Sequence, residues 1–114
     1  MSFSVFPIPE FKRRAKPLLK KHRSLAKDLG ELEKQLLENP FLGTPIKNGC
    51  YKIRLAISSK NAGKSGGARV ITTVLVQNES IYLLTIYDKS EQDAVTDEYL
   101  AELVASITIE DSEE

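Results

Sequence analysis

The sequence is poor in the side chains on which most enzyme chemistry depends. It has one cysteine, Cys50, one histidine, His22, and no tryptophan. A lone cysteine forms no intrachain disulfide, and one cysteine with one histidine cannot assemble a structural zinc site of the common four-ligand kinds. A serine or cysteine nucleophile needs a positioned base that the chain hardly supplies. No carboxylate pair stands out on a predicted strand, which argues against glycoside hydrolysis. No run of about 18 apolar residues is present, and MSFSVFPIPE has neither a charged leader nor a long apolar stretch before its prolines. The expectation is a cytoplasmic protein with no membrane span, no metal and no cofactor.

What is present is charge, and it is unevenly placed. The 16 basic and 16 acidic residues cancel over the 114-residue chain. Fifteen of the bases lie at or before Arg69, against five acids, for a net +10. From Val70 onward Lys89 is the one base, against eleven acids, for a net −10. Such segregation suggests a polyanion-binding surface beside an acidic element. Charge that merely solvates helix faces accounts for part of it.

The periodicity predicts an α+β domain. Phe3, Val5 and Ile8 nearly alternate, so a short strand over Ser2–Pro7 leads into a helix that Pro9 can open. Phe11, Ala15, Leu18, Leu19 and His22 follow at helical spacing, with Pro17 expected to kink the helix. His22 on that stripe reads as a packed side chain rather than a catalyst. Ser24 is placed to cap a second helix carrying Leu25, Leu29, Leu32 and Leu36, which ends before Asn39-Pro40. The period then changes. Tyr51, Ile53, Leu55 and Ile57 alternate with Lys52 and Arg54, a strand with one apolar and one basic face. Cys50, just before it, reads as a small buried residue. Strands over Ala68–Val76 and Ile81–Asp88 complete an antiparallel meander. Thr96 is placed to cap a last helix whose Leu100, Leu103, Val104 and Ile107 share a face. Residues 1–109 form one domain: an antiparallel sheet packed with two N-terminal helices and a C-terminal helix. Residues 110–114, EDSEE, read as an acidic flexible tail.

Between the first two central strands runs NAGKSGGARVI, with the GKS that closes a phosphate-binding P-loop. The loop's first glycine would stand at position 58, which is Ser58, and the β-branched run Val70–Val74 predicts a strand where a P-loop needs a helix. A nucleotide site is therefore not expected. The cations around the loop are more informative. Lys52 and Arg54 share a strand face, Lys60 and Lys64 lie in the loop, Arg69 opens the next strand, and Lys89 ends the third, two residues after Tyr87. In a meander these neighbours converge, and such a cluster suits a phosphodiester. The same lysines also fit a strand edge guarded against aggregation.

The run YKIRLAISSKNAGKSGGARVI, followed by IYLLTIYDKSEQ and a C-terminal helix, resembles the RelE-like toxins of type II toxin-antitoxin systems, closest to the HigB-like branch with its K-S-G-G-x-R-V-I motif. The similarity extends to FKRRAKPLLKK and ENPFLGTPIKNG. The resemblance implies a RelE-like fold, a metal-independent endoribonuclease that cuts messenger RNA on the ribosome, and a cognate antitoxin of helix-turn-helix type. It maps the family's catalytic cations onto Arg69 and Lys89 and its strand and loop lysines onto Lys52, Lys60 and Lys64, with Lys64 taken as catalytic and Lys52 and Lys60 as RNA-binding; Arg54 joins the RNA-binding set from its place beside Lys52 on the basic strand face. Val95 stands nearest to the catalytic tyrosine of RelE, so Tyr87 or Tyr99 has to replace that phenol, and the general base stays unassigned. Two other readings fit the same scaffold: a ParE-like toxin that inhibits DNA gyrase by binding, and an inactive relative that only binds RNA or a protein.

Overall fold

The computed structural model describes residues 2–60 and 63–112, with side chains through Ile107. Strand β1 (Ser4–Pro7) leads into helices α1 (Pro9–Lys21) and α2 (Leu25–Glu38). A two-residue strand β2 (Thr44–Pro45) precedes the meander β3 (Cys50–Leu55), β4 (Ala68–Leu75) and β5 (Ser80–Asp88), and α3 (Asp97–Ser112) follows. The expected α+β architecture is observed. Among the described residues no helix is long and apolar enough to cross a membrane.

The strand order is β1-β5-β4-β3-β2, and the sheet is mixed rather than wholly antiparallel. β1 lies parallel to β5, pairing Ser4 with Ser80 through Pro7 with Leu83. Alternation in a strand does not say which neighbour it takes, and the crossover through α1 and α2 returns the chain to the far side of the sheet. β2 leaves no mark in the sequence: two residues ending in a proline carry no periodicity, and proline is tolerated at an edge.

Helix α1 opens with Pro9 and Glu10 and closes with Lys20 and Lys21, which suits its dipole. It continues through Pro17, whose exposed ring costs a backbone bond without ending the helix. Phe11, Ala15 and Leu18 are buried as the spacing requires, whereas Leu19 is 40% exposed and lies off the stripe. On α2, Leu25, Leu32 and Leu36 are buried, each worth about 1.5–3 kcal/mol relative to exposure. Ser24 precedes α2 but does not cap it. Its backbone is already helical, and its hydroxyl donates to Asp28 Oδ2 at 2.8 Å. Thr96 does cap α3, accepting the Tyr99 N–H at 3.1 Å. Leu100, Leu103 and Ile107 are buried on one face of α3. That helix reaches Ser112, into the stretch expected as a tail; Glu113 and Glu114 lie outside the described residues.

One irregularity decides which side chains share a face of the sheet. Ile71 faces Thr85 but Thr72 faces Leu83, so Leu84 is an extra residue, a β-bulge. Strict alternation from Ile81 would put Tyr87 on the face of Ile81 and Leu83. The bulge shifts the phase and sends Tyr87 to the opposite face.

Candidate nucleic-acid site

Arg54, Arg69 and Tyr87 stand directly opposite one another across β3, β4 and β5. Their side chains therefore share one face, with Lys52 two residues back along β3. Lys52 faces Ile71, and Ile71 faces Thr85, in a second row. The Lys89 N–H donates to the Gly67 carbonyl at 3.0 Å, which extends the ladder past β5 and returns Lys89 to the side of Tyr87. The first turn of α3 is seated over the same face: Thr85 Oγ1 and the Tyr99 hydroxyl are 3.0 Å apart, and Asn48 Nδ2 donates to the Asp97 carbonyl at 3.1 Å. The opposite face, with Ile53, Val70 and Ile86, is the core side.

The expected cations differ in how free they are. Arg54 and Lys64 are exposed and Lys52 half-buried. Lys89 is half-buried, its Nζ 2.9 Å from Asp93 Oδ1. Arg69 is 4% exposed, and its guanidinium donates to the carbonyls of Lys64 at 2.9 Å, Ala68 at 3.2 Å and Ser65 at 3.4 Å. It is not the open phosphate clamp that the sequence suggests. Three carbonyls hold it, and through them it fastens the returning limb of the glycine loop. Gly67 allows this close approach, since a Cβ there would lie 2.1 Å from the Leu55 carbonyl oxygen. No helix follows Lys64 and Ser65; β4 does, which removes the P-loop reading.

Lys60 departs furthest from expectation. Its Nζ lies 3.2 Å from Asp88 Oδ1, on the core side of the sheet. The buried Asp88 carboxylate also meets His22 Nε2 at 3.2 Å, the Ser90 N–H at 2.9 Å and the Ser90 hydroxyl at 2.7 Å. Burial alone would raise this carboxyl, but the bonds from Ser90, Lys60 and His22 outweigh it and hold the group well below the usual carboxylate range. Lys60 is thus a partner in an internal network and not a free RNA ligand. His22 is packed, as its place on the stripe predicts. A second acid, Asp28, accepts the Ser58 N–H at 3.0 Å and the Ser58 hydroxyl at 2.6 Å, while Ser59 N–H donates to Ser24 Oγ at 2.8 Å. The loop is fastened at both ends.

Burial pushes the Tyr87 phenol up; Arg69 and Lys89 oppose the rise and Asp93 adds to it, leaving the phenol above its ordinary value. At neutral pH it is a proton donor. Tyr99, the other candidate phenol, is engaged elsewhere, its hydroxyl between Thr85 and the Glu10 carboxylate. Cys50 is buried, its thiol pushed up to about 11 by desolvation, which leaves it a packing residue.

No family model matches the sequence. The architecture does have counterparts among solved structures. An arginine double mutant of the E. coli toxin RelE in the free state superposes with a TM-score of 0.59 at 18% identity, covering 94% of this chain and 99% of that one. The chain has the RelE fold. The isolated E. coli RelE toxin gives a TM-score of 0.53 at 20% identity over the same shares. Identities this low carry the RelE fold and not the residues, so the row across β3, β4 and β5 has to stand on its own geometry.

Sequence reasoning missed the acids that organise this RelE-type sheet: Glu10, Asp28, Asp88 and Asp93. Asp88 alone left a readable sign, a carboxylate closing the apolar strand IYLLTIYD next to the two residues that mark the site. Glu10 and Asp28 sit in first turns of helices, where an acid is expected for the dipole and draws no notice.

Proposed function

We propose that this chain is the toxin of a type II toxin-antitoxin pair, a cytoplasmic, metal-independent endoribonuclease that cuts messenger RNA on the ribosome. A cognate antitoxin of helix-turn-helix type neutralises it, and the K-S-G-G-x-R-V-I segment favours a HigB-like member. The observation that carries the reading is the row Arg54, Arg69, Tyr87 on one face of a RelE fold, flanked by Lys52, Lys64 and Lys89.

The chemistry follows from those residues. The 2′-OH of the substrate attacks the adjacent phosphorus and gives up its proton to solvent water, closing a 2′,3′-cyclic phosphate and expelling the 5′-oxygen. Arg54, Lys52, Lys64 and Lys89 hold the phosphate oxygens as their charge grows, the step where fixed cations contribute most. Arg69 lies beneath, fastening the loop and adding positive potential. Tyr87, protonated at neutral pH, gives its proton to the leaving 5′-oxygen.

The deciding experiment maps message cleavage on translating ribosomes with purified protein, and follows growth on induced expression. Cleavage and growth arrest are expected from the wild type. Absence of cleavage together with gyrase inhibition would transfer the chain to the ParE-like reading. Binding to RNA with neither effect would make it an inactive relative.

A further inference from the structure

Lys89 follows the last residue of β5, and its N–H bond to the Gly67 carbonyl is the last rung of the ladder. From there the chain leaves the sheet in a turn built on Asp88. The Asp88 carbonyl accepts the N–H groups of Glu91 at 3.0 Å and Gln92 at 3.1 Å, while its carboxylate Oδ1 accepts the Ser90 N–H at 2.9 Å and the Ser90 hydroxyl at 2.7 Å. A side chain that takes the N–H two residues on, with its own carbonyl taking those three and four residues on, opens one helical turn as an N-cap does. Lys89 is the first residue inside that turn, so the direction of its side chain follows from where Asp88 stands. What fixes Asp88 is remote in sequence. The residue is 2% exposed, and His22 Nε2, at the end of α1, lies 3.2 Å from Oδ2. Lys60, in the turn Ser58–Lys60, reaches Oδ1 at 3.2 Å and Oδ2 at 3.5 Å. Both carboxylate oxygens are thus engaged by groups from three separate parts of the chain, which leaves the carboxylate no rotation that keeps them all.

We propose that Asp88 is the positioning residue of Lys89: a buried carboxylate, oriented by His22 and Lys60, sets the turn that keeps the Lys89 ammonium on the face of the Arg54–Arg69–Tyr87 row. Arg54 and Arg69 are carried by paired strands and need no such device. Lys89 lies where the pairing stops, and the capped turn takes over from the sheet. The ammonium itself stays free to change partner. Its bond to Asp93 Oδ1 at 2.9 Å joins a half-buried lysine to a side chain that is 94% exposed, and an exposed pair four residues apart holds weakly enough to give way to a phosphate. The backbone under it does not move with that exchange. A cation that stabilises charge growing in the transition state acts fully only when it is already in place, because a small displacement of a catalytic group costs much of the rate. The buried cluster of His22, Asp88 and Lys60 therefore serves the site as well as the fold. This inference deepens the ribonuclease reading and rests on it.

The test has a cleavage arm and an exchange arm. Message cleavage on translating ribosomes is measured for the wild type, Asp88→Asn, Ser90→Ala, Lys89→Met and the two double variants with Lys89→Met, each rate taken per folded molecule from circular dichroism. An amide has one acceptor oxygen, so in Asp88→Asn either Ser90 or the pair His22 and Lys60 faces an NH2 group. Its kcat is expected to fall about tenfold with KM nearly unchanged. Ser90→Ala removes one bond at an exposed position, and its kcat is expected to fall about threefold. In the Lys89→Met background either change is expected to cost less than about twofold, because its effect runs through a cation already removed. Ser90→Ala carries the cycle by itself should Asp88→Asn not fold. Losses that simply add, or single variants at the wild-type rate, overturn the assignment. In the exchange arm, Ser90→Ala is expected to speed hydrogen exchange at the Lys89, Glu91 and Gln92 amides while those of β4 keep their protection. Unchanged exchange at the three amides also overturns it. A wild type that does not cleave, with that local change in exchange, overturns the ribonuclease reading and leaves Asp88 as the residue that sets Lys89.

Discussion

Arg69 stands directly across the β4–β5 ladder from Tyr87, a buried guanidinium beside a buried phenol. The pair has two consequences. The cation offsets part of the rise that burial imposes on the phenol, and its bonds to the carbonyls of Lys64, Ala68 and Ser65 hold the glycine loop over the row. Arg69→Ala is expected to lower the cleavage rate by a factor on the order of 10² and also to loosen residues 63–67, visible as faster amide exchange. Tyr87→Phe is expected to lower the rate without the exchange change. Equal exchange in both variants would show that the loop does not depend on the guanidinium.

The pH profile separates donor from base. A phenol held above its ordinary value stays protonated through neutral pH and loses its proton only on the alkaline side. If Tyr87 is the proton donor, cleavage falls with a limb at alkaline pH. Lys89→Met removes one of the two cations that lower the phenol, so that limb should move to higher pH as well as the rate falling. A limb unmoved in Lys89→Met assigns the alkaline titration to another group.

The open cations predict salt dependence. Each phosphate neutralised by Lys or Arg releases counterions, so ribosome or RNA affinity should fall steeply with salt. Lys52→Ala, Arg54→Ala and Lys64→Ala should each reduce the slope by about one unit or less. Lys60→Ala should leave the slope unchanged, because its ammonium is already paired with Asp88. Measuring log affinity against log salt for the four variants checks this, and a Lys60→Ala slope reduced like the others would mean that the internal pair opens on binding.

Sequence periodicity carried the fold because each element buries a stripe of its own. The leucines of α2, the alternation of β3 and the capping Thr96 all state their structure locally. What stayed hidden depends on distant partners. The parallel pairing of β1 with β5, the bulge at Leu84 and the two-residue β2 have no local period. The same division runs through the site. Lys52, Arg54, Arg69, Tyr87 and Lys89 share a face as short-range spacing in neighbouring strands implies, but whether a cation is free is decided by an acid elsewhere. Lys60 and Asp88 are 28 residues apart, and nothing in SSKNAGKSGG announces that its first lysine turns inward.

Gly67 tests how closely the loop must approach β3. A Cβ at this position would meet the Leu55 backbone oxygen at 2.1 Å, far inside contact distance, and backbone cannot swing aside as a side chain can. Gly67→Ala is expected to destabilise the fold by about 1–3 kcal/mol through forced backbone shifts. Denaturant unfolding measures it, with Gly63→Ala as the comparison: there the space is open and the cost is conformational, since Gly63 sits at φ +63°. Equal, small losses in both would mean that the strands separate at Gly67 without cost.

Asp88 makes the sharpest statement about stability. Its carboxylate is buried with Lys60, His22 and Ser90 around it, and its folded value lies below the unfolded one. A depressed carboxyl contributes stability that is fully present above the ordinary carboxylate range and is lost as pH falls from there towards the folded value. Removing the charge while its partners remain leaves Lys60 facing a neutral amide, so Asp88→Asn should cost about 3 kcal/mol at neutral pH. The loss should shrink in acid, because the wild type itself gives up this contribution as the carboxyl protonates while the amide has none to lose. Unfolding free energies of wild type and Asp88→Asn, measured from pH 7 down to about pH 3, should therefore converge. Parallel curves would mean that the amide forfeits only packing and hydrogen bonds. In that case the ion pair would contribute nothing to stability, and Lys60 could leave Asp88 for RNA at no cost.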